Sequence, residues 1–208
     1  MEPSWGYTYS VSAVPQMEMD QVLDLVNHYA PRPRAAAQDE SKGYRDLGAV
    51  LGDLASTFPA SSEGALHAAA EDAYQVFLDA HTGHDVAPAL NALLAAARPT
   101  PRLGPDGAVM WEVGDDGDPL RAALAIALLD WVHARGADRL GLCEGIRCAD
   151  AFADSSAAGQ RKYCGAVCLN RHKVAAYRRR AAEKKQDEHK TKHDENEKQQ
   201  DREAGEKY

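Results

Sequence analysis

Apolar residues recur at steps of three and four through most of the first 135 positions. Met17, Val22, Leu23, Leu25 and Val26 predict a helix over 17–29, ended by Pro31 and Pro33. A loop is expected from Arg32 to Lys42. Tyr44, Leu47, Val50, Leu51 and Leu54 form a second apolar stripe, an amphipathic helix. Ser61 or Ser62 caps the next helix, with Glu63 early in it and Leu66, Ala69, Ala70, Ala73, Tyr74, Phe77 and Leu78 on its buried face. Thr82-Gly83 reads as its stop. Val86, Leu90, Leu93 and Leu94 mark a fourth helix before Pro99. Asp118 as N-cap and Pro119 at the first helical position open a fifth. Its inner face is Ala123, Ile126, Ala127, Leu128, Trp131 and Val132, and Gly136 ends it.

Two stretches follow a period of two. Trp5, Tyr7, Tyr9 and Val11 alternate with smaller or polar residues, which reads as a short strand or extended arm. Arg102–Val113 reads as a β-hairpin, with Gly104-Pro105-Asp106-Gly107 as its turn. From about Ala182 the text has no apolar stripe. Such a tail cannot bury enough surface to offset its ordering entropy, so disorder, or at most a solvated helical extension, is expected over 182–208. There is no internal repeat.

The chain has 208 residues, 44% hydrophobic and 27% charged, ordinary for a soluble protein able to bury a core without disulfides. No run approaches ~18 apolar residues, so no membrane span is expected. Met1-Glu2-Pro3-Ser4-Trp5 lacks a basic region followed by an apolar one, so a secretory leader is not expected either. A cytoplasmic protein is the reading that follows. The net charge of −8 is unevenly spread. Residues 1–138 hold 8 Lys+Arg against 20 Asp+Glu, net −12. Residues 139–180 carry +6, and 181–208 carry −2. An acidic body with a compact basic module suggests that the module meets a polyanion.

The cysteines lie in the basic module. Four residues separate Cys143 from Cys148, three separate Cys164 from Cys168, and fifteen lie between the pairs. Two short-spaced pairs suit one tetrahedral zinc ion, each pair aiming both sulfurs at it from one knuckle or helix turn. Four thiolates would close the coordination sphere and make the zinc structural rather than catalytic. An iron–sulfur cluster or a disulfide would use the same sulfurs. The gap predicts a hairpin with strands Ala151-Phe152-Ala153 and Arg161-Lys162-Tyr163, and a helix from about Cys164 to Ala182. Knuckle, hairpin and metal-bound helix make a treble-clef-like module. Its few apolar residues are chiefly Phe152, Tyr163, Val167, Val174 and Tyr177, so metal binding would supply much of its folding energy. His172 reads as a helix-surface residue, and His189 and His193 as solvated.

The helix after Cys168 is strongly basic. Arg171 and Arg178 share an outer face, while Val174 and Tyr177 are spaced to pack inward. Arg161, Lys162, Asn170, Arg171, Lys173, Arg178, Arg179 and Arg180 are the candidate contacts to nucleic acid. Arginine suits phosphate and guanine, and asparagine pairs with adenine. A solvated charged helix offsetting the acidic domain is the plainer alternative.

These residues resemble a known family. Cys143, Cys148-Ala149-Asp150-Ala151-Phe152, Asp154-Ser155, Arg161-Lys162-Tyr163-Cys164, Cys168-Leu169-Asn170-Arg171 and Ala175-Ala176-Tyr177-Arg178 look like the CGNR-type zinc finger. Upstream, Val22-Leu23-Asp24-Leu25-Val26-Asn27 resembles the signature opening the ABATE domain, a stress-induced transcription regulator paired with that finger. Asn91-Ala92-Leu93-Leu94, the hairpin ending at Trp111 and the Asp118-Pro119-Leu120 helix start are similar to that domain too. The glycine that gives the motif its name is Leu169 here, and the exchange bears on base preference rather than on metal binding. The resemblance implies a bacterial, actinobacterial regulator.

The fold class is therefore mainly α. A helical domain with one β-hairpin spans 1–138, a treble-clef-like zinc module spans 139–181, and a polar tail follows. The leading function is a zinc-dependent regulator binding double-stranded DNA through the basic helix, in the nucleoid. One structural Zn2+ is the cofactor. The acidic domain would sense a small-molecule ligand or form a homodimer. A ligand pocket would be lined by Trp111, Trp131 and Tyr74. The alternative is an accessory factor docking on a transcription-machinery protein, with zinc as a clip. RNA binding would call for exposed aromatics, and only Tyr163 and Tyr177 are available. No enzyme is expected: the chain has no phosphate-cradling Gly-rich loop, metalloprotease helix or activated-serine motif. Asp115, Asp116 and Asp118 read as a turn and a helix cap.

Overall fold

The computed structural model describes residues 11–38, 43–58 and 61–205, with side chains as far as residue 186. The alternation at Trp5, Tyr7 and Tyr9 lies outside the described residues. The chain divides into two compact units, Met1–Cys164 and Gly165–Tyr208.

In the first unit, strand β1 (Val11–Ala13) precedes helix α1 (Met19–Tyr29). The start of α1 is set by a capping box. Glu18 donates its backbone N–H to the Gln21 side chain at 2.9 Å, which moves the start two residues past Met17. The prolines that follow do not open a loop. Helix α2 (Pro31–Ala37) begins at Pro31 itself. A proline in the first turn lacks only an N–H that no carbonyl would meet there, and its φ already suits a helix. The stripe from Tyr44 to Leu54 is also divided. Asp46 caps α3 (Leu47–Leu51), and at Gly52, with φ of +59°, the chain tightens into a 3-10 turn, Gly52–Thr57.

Ser62 caps α4 (Glu63–Thr82), whose side chain accepts from the Ala65 N–H at 3.2 Å, and Gly83 ends it in the left-handed conformation. Helix α5 (Ala87–Ala97) follows, then the hairpin of β2 (Thr100–Leu103) and β3 (Val109–Gly114). Asp118 caps α6 (Pro119–Arg135). Strand β1 joins the hairpin, giving an antiparallel sheet ordered β1-β3-β2, with Ala13 and Thr100 both opposite Glu112. Helices α1, α4, α5 and α6 close on one core, in which Val22, Leu25, Val26, Ala70, Ala73, Phe77, Leu93, Leu124 and Leu128 are fully buried. Ala69, Ala70 and Ala73 let α4 approach its neighbours closely. Val113 seats the sheet on Ala97 and Ala122.

The same core continues past residue 138. Strands β4 (Leu140–Leu142) and β5 (Ala151–Ala153) pair antiparallel, and Leu140, Leu142, Ala151 and Ala153 belong to the main core cluster. This corrects the expected hairpin. Ala151–Ala153 is a strand, but its partner is Leu140–Leu142 rather than Arg161–Tyr163. All six residues of β4 and β5 are buried, and an Arg-Lys-Tyr strand could not be placed there without burying charge. Gly141 is required at its position, because a Cβ would lie 2.9 Å from the Phe152 ring.

The second unit is one helix, α7 (Ala166–Gly205). The helix therefore runs on through the region from 182, where disorder or a solvated helical extension is expected. Between Gly165 and Gly205 the chain has neither glycine nor proline, and alanine, glutamate, lysine, arginine and glutamine dominate it. Among the described residues no helix is long and apolar enough to cross a membrane.

Candidate metal centre

Strand β4 runs directly into Cys143, and the ladder continues for one more step, the Cys143 N–H donating to the Asp150 carbonyl at 2.9 Å. Between Cys143 and Cys148 the chain makes a tight reversal. The Gly145 N–H donates to Cys143 Sγ at 3.4 Å, the Cys148 N–H donates to the Gly145 carbonyl at 3.1 Å, and Arg147 takes a left-handed φ of +57°. Both sulfurs are thereby turned to the same side of a small loop.

Cys164 is delivered by the segment after β5. Asp154, buried, accepts from the Ser156 N–H at 2.9 Å and the Arg161 N–H at 3.0 Å. Hydrogen bonds from the Ser156 side chain and then from these backbone groups hold its carboxyl down to about 2. The Arg161 guanidinium lies 5.3 Å from the centre of the Phe152 ring and donates to the carbonyls of Tyr163 at 2.8 Å, Ala153 at 3.2 Å and Cys164. That clip folds 154–164 back onto β5. Cys168 lies in the first turn of α7.

The four sulfurs all lie within 4.8 Å of one another. Cys148 and Cys164 are 3.7 Å apart, far beyond a disulfide bond. Four sulfurs at about 2.3 Å from a tetrahedral zinc ion would be about 3.8 Å apart. The donor set and its spacing therefore fit one zinc ion. The thiols are also unequal. Burial pushes the Cys148 thiol up; the Asp150 backbone N–H opposes this and the Asp150 carboxylate adds to it. At Cys143 burial acts in the same sense, but N–H donors from Cys164 and Gly145 outweigh it and the thiol lies below its usual value. The Cys164 thiol donates to Asp150 at 3.3 Å. A zinc ion would displace the remaining protons and supply the positive charge that four close sulfurs need.

Of the candidate nucleic-acid contacts, Asn170, Arg171, Lys173, Arg178, Arg179 and Arg180 are exposed on α7. Arg161 is committed to the clip, and Lys162 lies 3.8 Å from Glu144. Val174 and Tyr177 do not pack inward; they are 48% and 69% exposed. His172 is half-buried, and the side chains of His189 and His193 lie outside the described residues. Asp118 is the α6 cap and Asp116 lies 3.9 Å from Arg98, so the acidic cluster is a turn and a cap. Trp111 and Trp131 line a cavity of about 570 Å³ with Met17, Met110 and Ile126. Tyr74 does not line it. Its ring is buried in α4, and its hydroxyl donates to the Ala149 carbonyl at 2.8 Å.

Two residues near the metal centre carry no sequence signal of their part in it. The Asn27 side chain donates to the Ala151 carbonyl at 3.0 Å and accepts from the Ala151 N–H at 2.6 Å. Tyr74 reads simply as core. Only the partner, more than 70 residues away in each case, reveals the role.

A helical domain continued by a four-cysteine zinc module defines the class. Residues 20–138 match the family model ABATE, described as "Putative stress-induced transcription regulator", and 139–181 match that of the CGNR zinc finger. The first match covers more than half of the chain, and the protein belongs to this family of transcription regulators, with the zinc finger at its C-terminal side. No curated protein matches the chain significantly.

Proposed function

We propose that this protein is a zinc-dependent transcription regulator that binds double-stranded DNA through α7. The observation that carries this reading is the run of exposed basic side chains, Arg171, Lys173, Arg178, Arg179 and Arg180, on a helix whose first turn bears the metal ligand Cys168. Zinc anchors the start of that helix, and the arginines after it meet phosphates and base edges. Asn170 and Arg171 are the first polar residues after the ligand Cys168 and are the residues assigned to base reading. Arg161 and Lys162 serve the fold of the module in this scheme. No catalysis is assigned to the protein. The acidic helical domain senses an effector, with the cavity between Trp111 and Trp131 as its place, or brings two copies together on two half-sites.

The test is binding to random-sequence duplex DNA at several salt concentrations, with sequencing of the bound fraction. Zinc-loaded protein is compared with chelated protein and with Arg171→Ala. About six phosphate contacts give a log–log salt slope of roughly −5. An enriched sequence motif, lost on chelation, is the expected result. No salt-dependent binding and no enrichment would overturn the proposal.

One observation favours a second reading. Val167, Val174 and Tyr177 are large, exposed and at helical spacing on the same helix. That surface suits a protein of the transcription machinery, with zinc acting as a structural clip. Retention of a protein partner by the Arg171→Ala variant, alongside absence of DNA binding, would support it.

A further inference from the structure

We propose that Asn27 and Tyr74 are positioning residues of the metal centre, and that through them metal occupancy and the packing of the helical domain form one coupled equilibrium. This inference rests on zinc in the four-cysteine site and is independent of DNA binding. It concerns the three residues that follow Cys148. Their carbonyls are each held by a different element. That of Ala149 accepts from Tyr74 of α4 at 2.8 Å. That of Asp150 accepts from the N–H of the ligand Cys143 at 2.9 Å. That of Ala151 accepts from Asn27 of α1 at 3.0 Å, and the Ala151 N–H returns a bond to the same side chain at 2.6 Å.

Strand β5 is the edge of a two-stranded sheet, and its inner edge is taken by β4. Asn27 occupies the outer edge at Ala151 with one donor and one acceptor, as a neighbouring strand would. The segment cannot slide along β4 without breaking both Asn27 bonds and the Tyr74 bond. Sliding would also shift Cys148 relative to Cys143. The two anchors are themselves well held. Val26 beside Asn27 is fully buried, as are Ala73 and Tyr74. The register of the first cysteine pair is thus set by α1 and α4, not by the knuckle alone.

Outer residues that orient metal ligands typically govern affinity by 10–100-fold. Coupling is reciprocal, so metal must stabilise the helical domain by as much as the domain favours metal. The experiment uses the full chain and zinc itself. Zinc affinity is measured by competition with a chelator, and the ligand-field spectrum of the cobalt-substituted protein reports site geometry. Thermal unfolding is followed with and without zinc. The variants are Asn27→Ala and Tyr74→Phe; the second keeps the buried ring and remains informative where the first fails to fold. Tyr29→Phe is the control. It removes a comparable hydroxyl-to-carbonyl bond on α1, to Arg45 at 2.7 Å, with no contact to the knuckle.

The expected result is zinc affinity lowered roughly 10-fold or more by Tyr74→Phe and Asn27→Ala, an altered cobalt spectrum, and a smaller zinc-induced rise in melting temperature. Tyr29→Phe should lower the melting temperature without moving affinity or spectrum. Unchanged affinity in Tyr74→Phe and Asn27→Ala would overturn the proposal. So would a Tyr29→Phe variant that loses as much affinity as they do. A wild-type chain that binds no zinc would instead remove the premise.

Discussion

The knuckle between β4 and β5 and the helix α7 lie in one family motif, yet they are built by opposite means. Every residue of β4 and β5 is buried, and the backbone around Cys148 is tied to two core helices. On α7, Arg171, Arg178, Arg179 and Arg180 are exposed, and so are Val167, Val174 and Tyr177. The first half takes its shape from the domain that precedes it. The second takes its shape from local helix propensity and a metal ligand in its first turn.

Removing the metal breaks this comparison most severely, since structural zinc contributes on the order of 10 kcal/mol of binding. With β4 and β5 in the main core, hydrogen exchange of the chelated protein, or of Cys164→Ser, should show continued protection in α1, α4 and α6. Protection should be lost across 154–168. Global unfolding on chelation would show that the helical core does not stand without the metal.

Charge removal separates the halves next. Arg178→Ala, Arg179→Ala and Arg180→Ala combined should make the salt slope of DNA binding shallower by about 3, with zinc affinity unchanged. Arg161→Ala should do the reverse. Its guanidinium holds three carbonyls around Cys164, so zinc affinity should fall while the salt slope stays. Binding isotherms and chelator competition on the same preparations check both.

Packing is a sharper but smaller probe. Gly141→Ala would force a Cβ to within 2.9 Å of the Phe152 ring. A loss of about 1–3 kcal/mol in denaturant unfolding is expected. The same change on exposed α7 positions, such as Arg179→Ala, should be nearly neutral for stability.

The smallest effect is alkaline. Burial raises the Tyr74 hydroxyl to about 12, so the folded state favours its protonated form. The resulting stability is fully present below the ordinary tyrosine value and is lost as pH rises through about 12. Over that window wild-type protein should lose stability more steeply than Tyr74→Phe in denaturant melts at stepped pH.

Much of the fold is legible along the chain because its causes are local. Ser62 and Gly83 bound α4, Asp118 with Pro119 starts α6, and each works within four residues. The cysteine spacing and the +6 of residues 139–180 are visible in the same way. Other features are local but ambiguous. Pro31 and Pro33 can end one helix or start another, and Gly52 divides an apolar stripe without interrupting its period.

The remainder depends on partners far apart in sequence. The gap between the cysteine pairs reads as a hairpin with Ala151–Ala153 as one strand, but the partner of that strand turns out to be Leu140–Leu142. Arg161 looks like any basic residue of the module until its carbonyl acceptors surround it. The sequence by itself determined α4, α5 and α6, the caps of α4 and α6, the metal-binding chemistry and the split of charge, because propensity, capping and ligand type act over a few residues. Only the tertiary structure decided that the knuckle belongs to the helical core, that Asn27 completes its edge and that Tyr74 anchors it. Those bonds close loops of 124 and 75 residues, and a pairing of that length becomes favourable only once the core has brought its ends together.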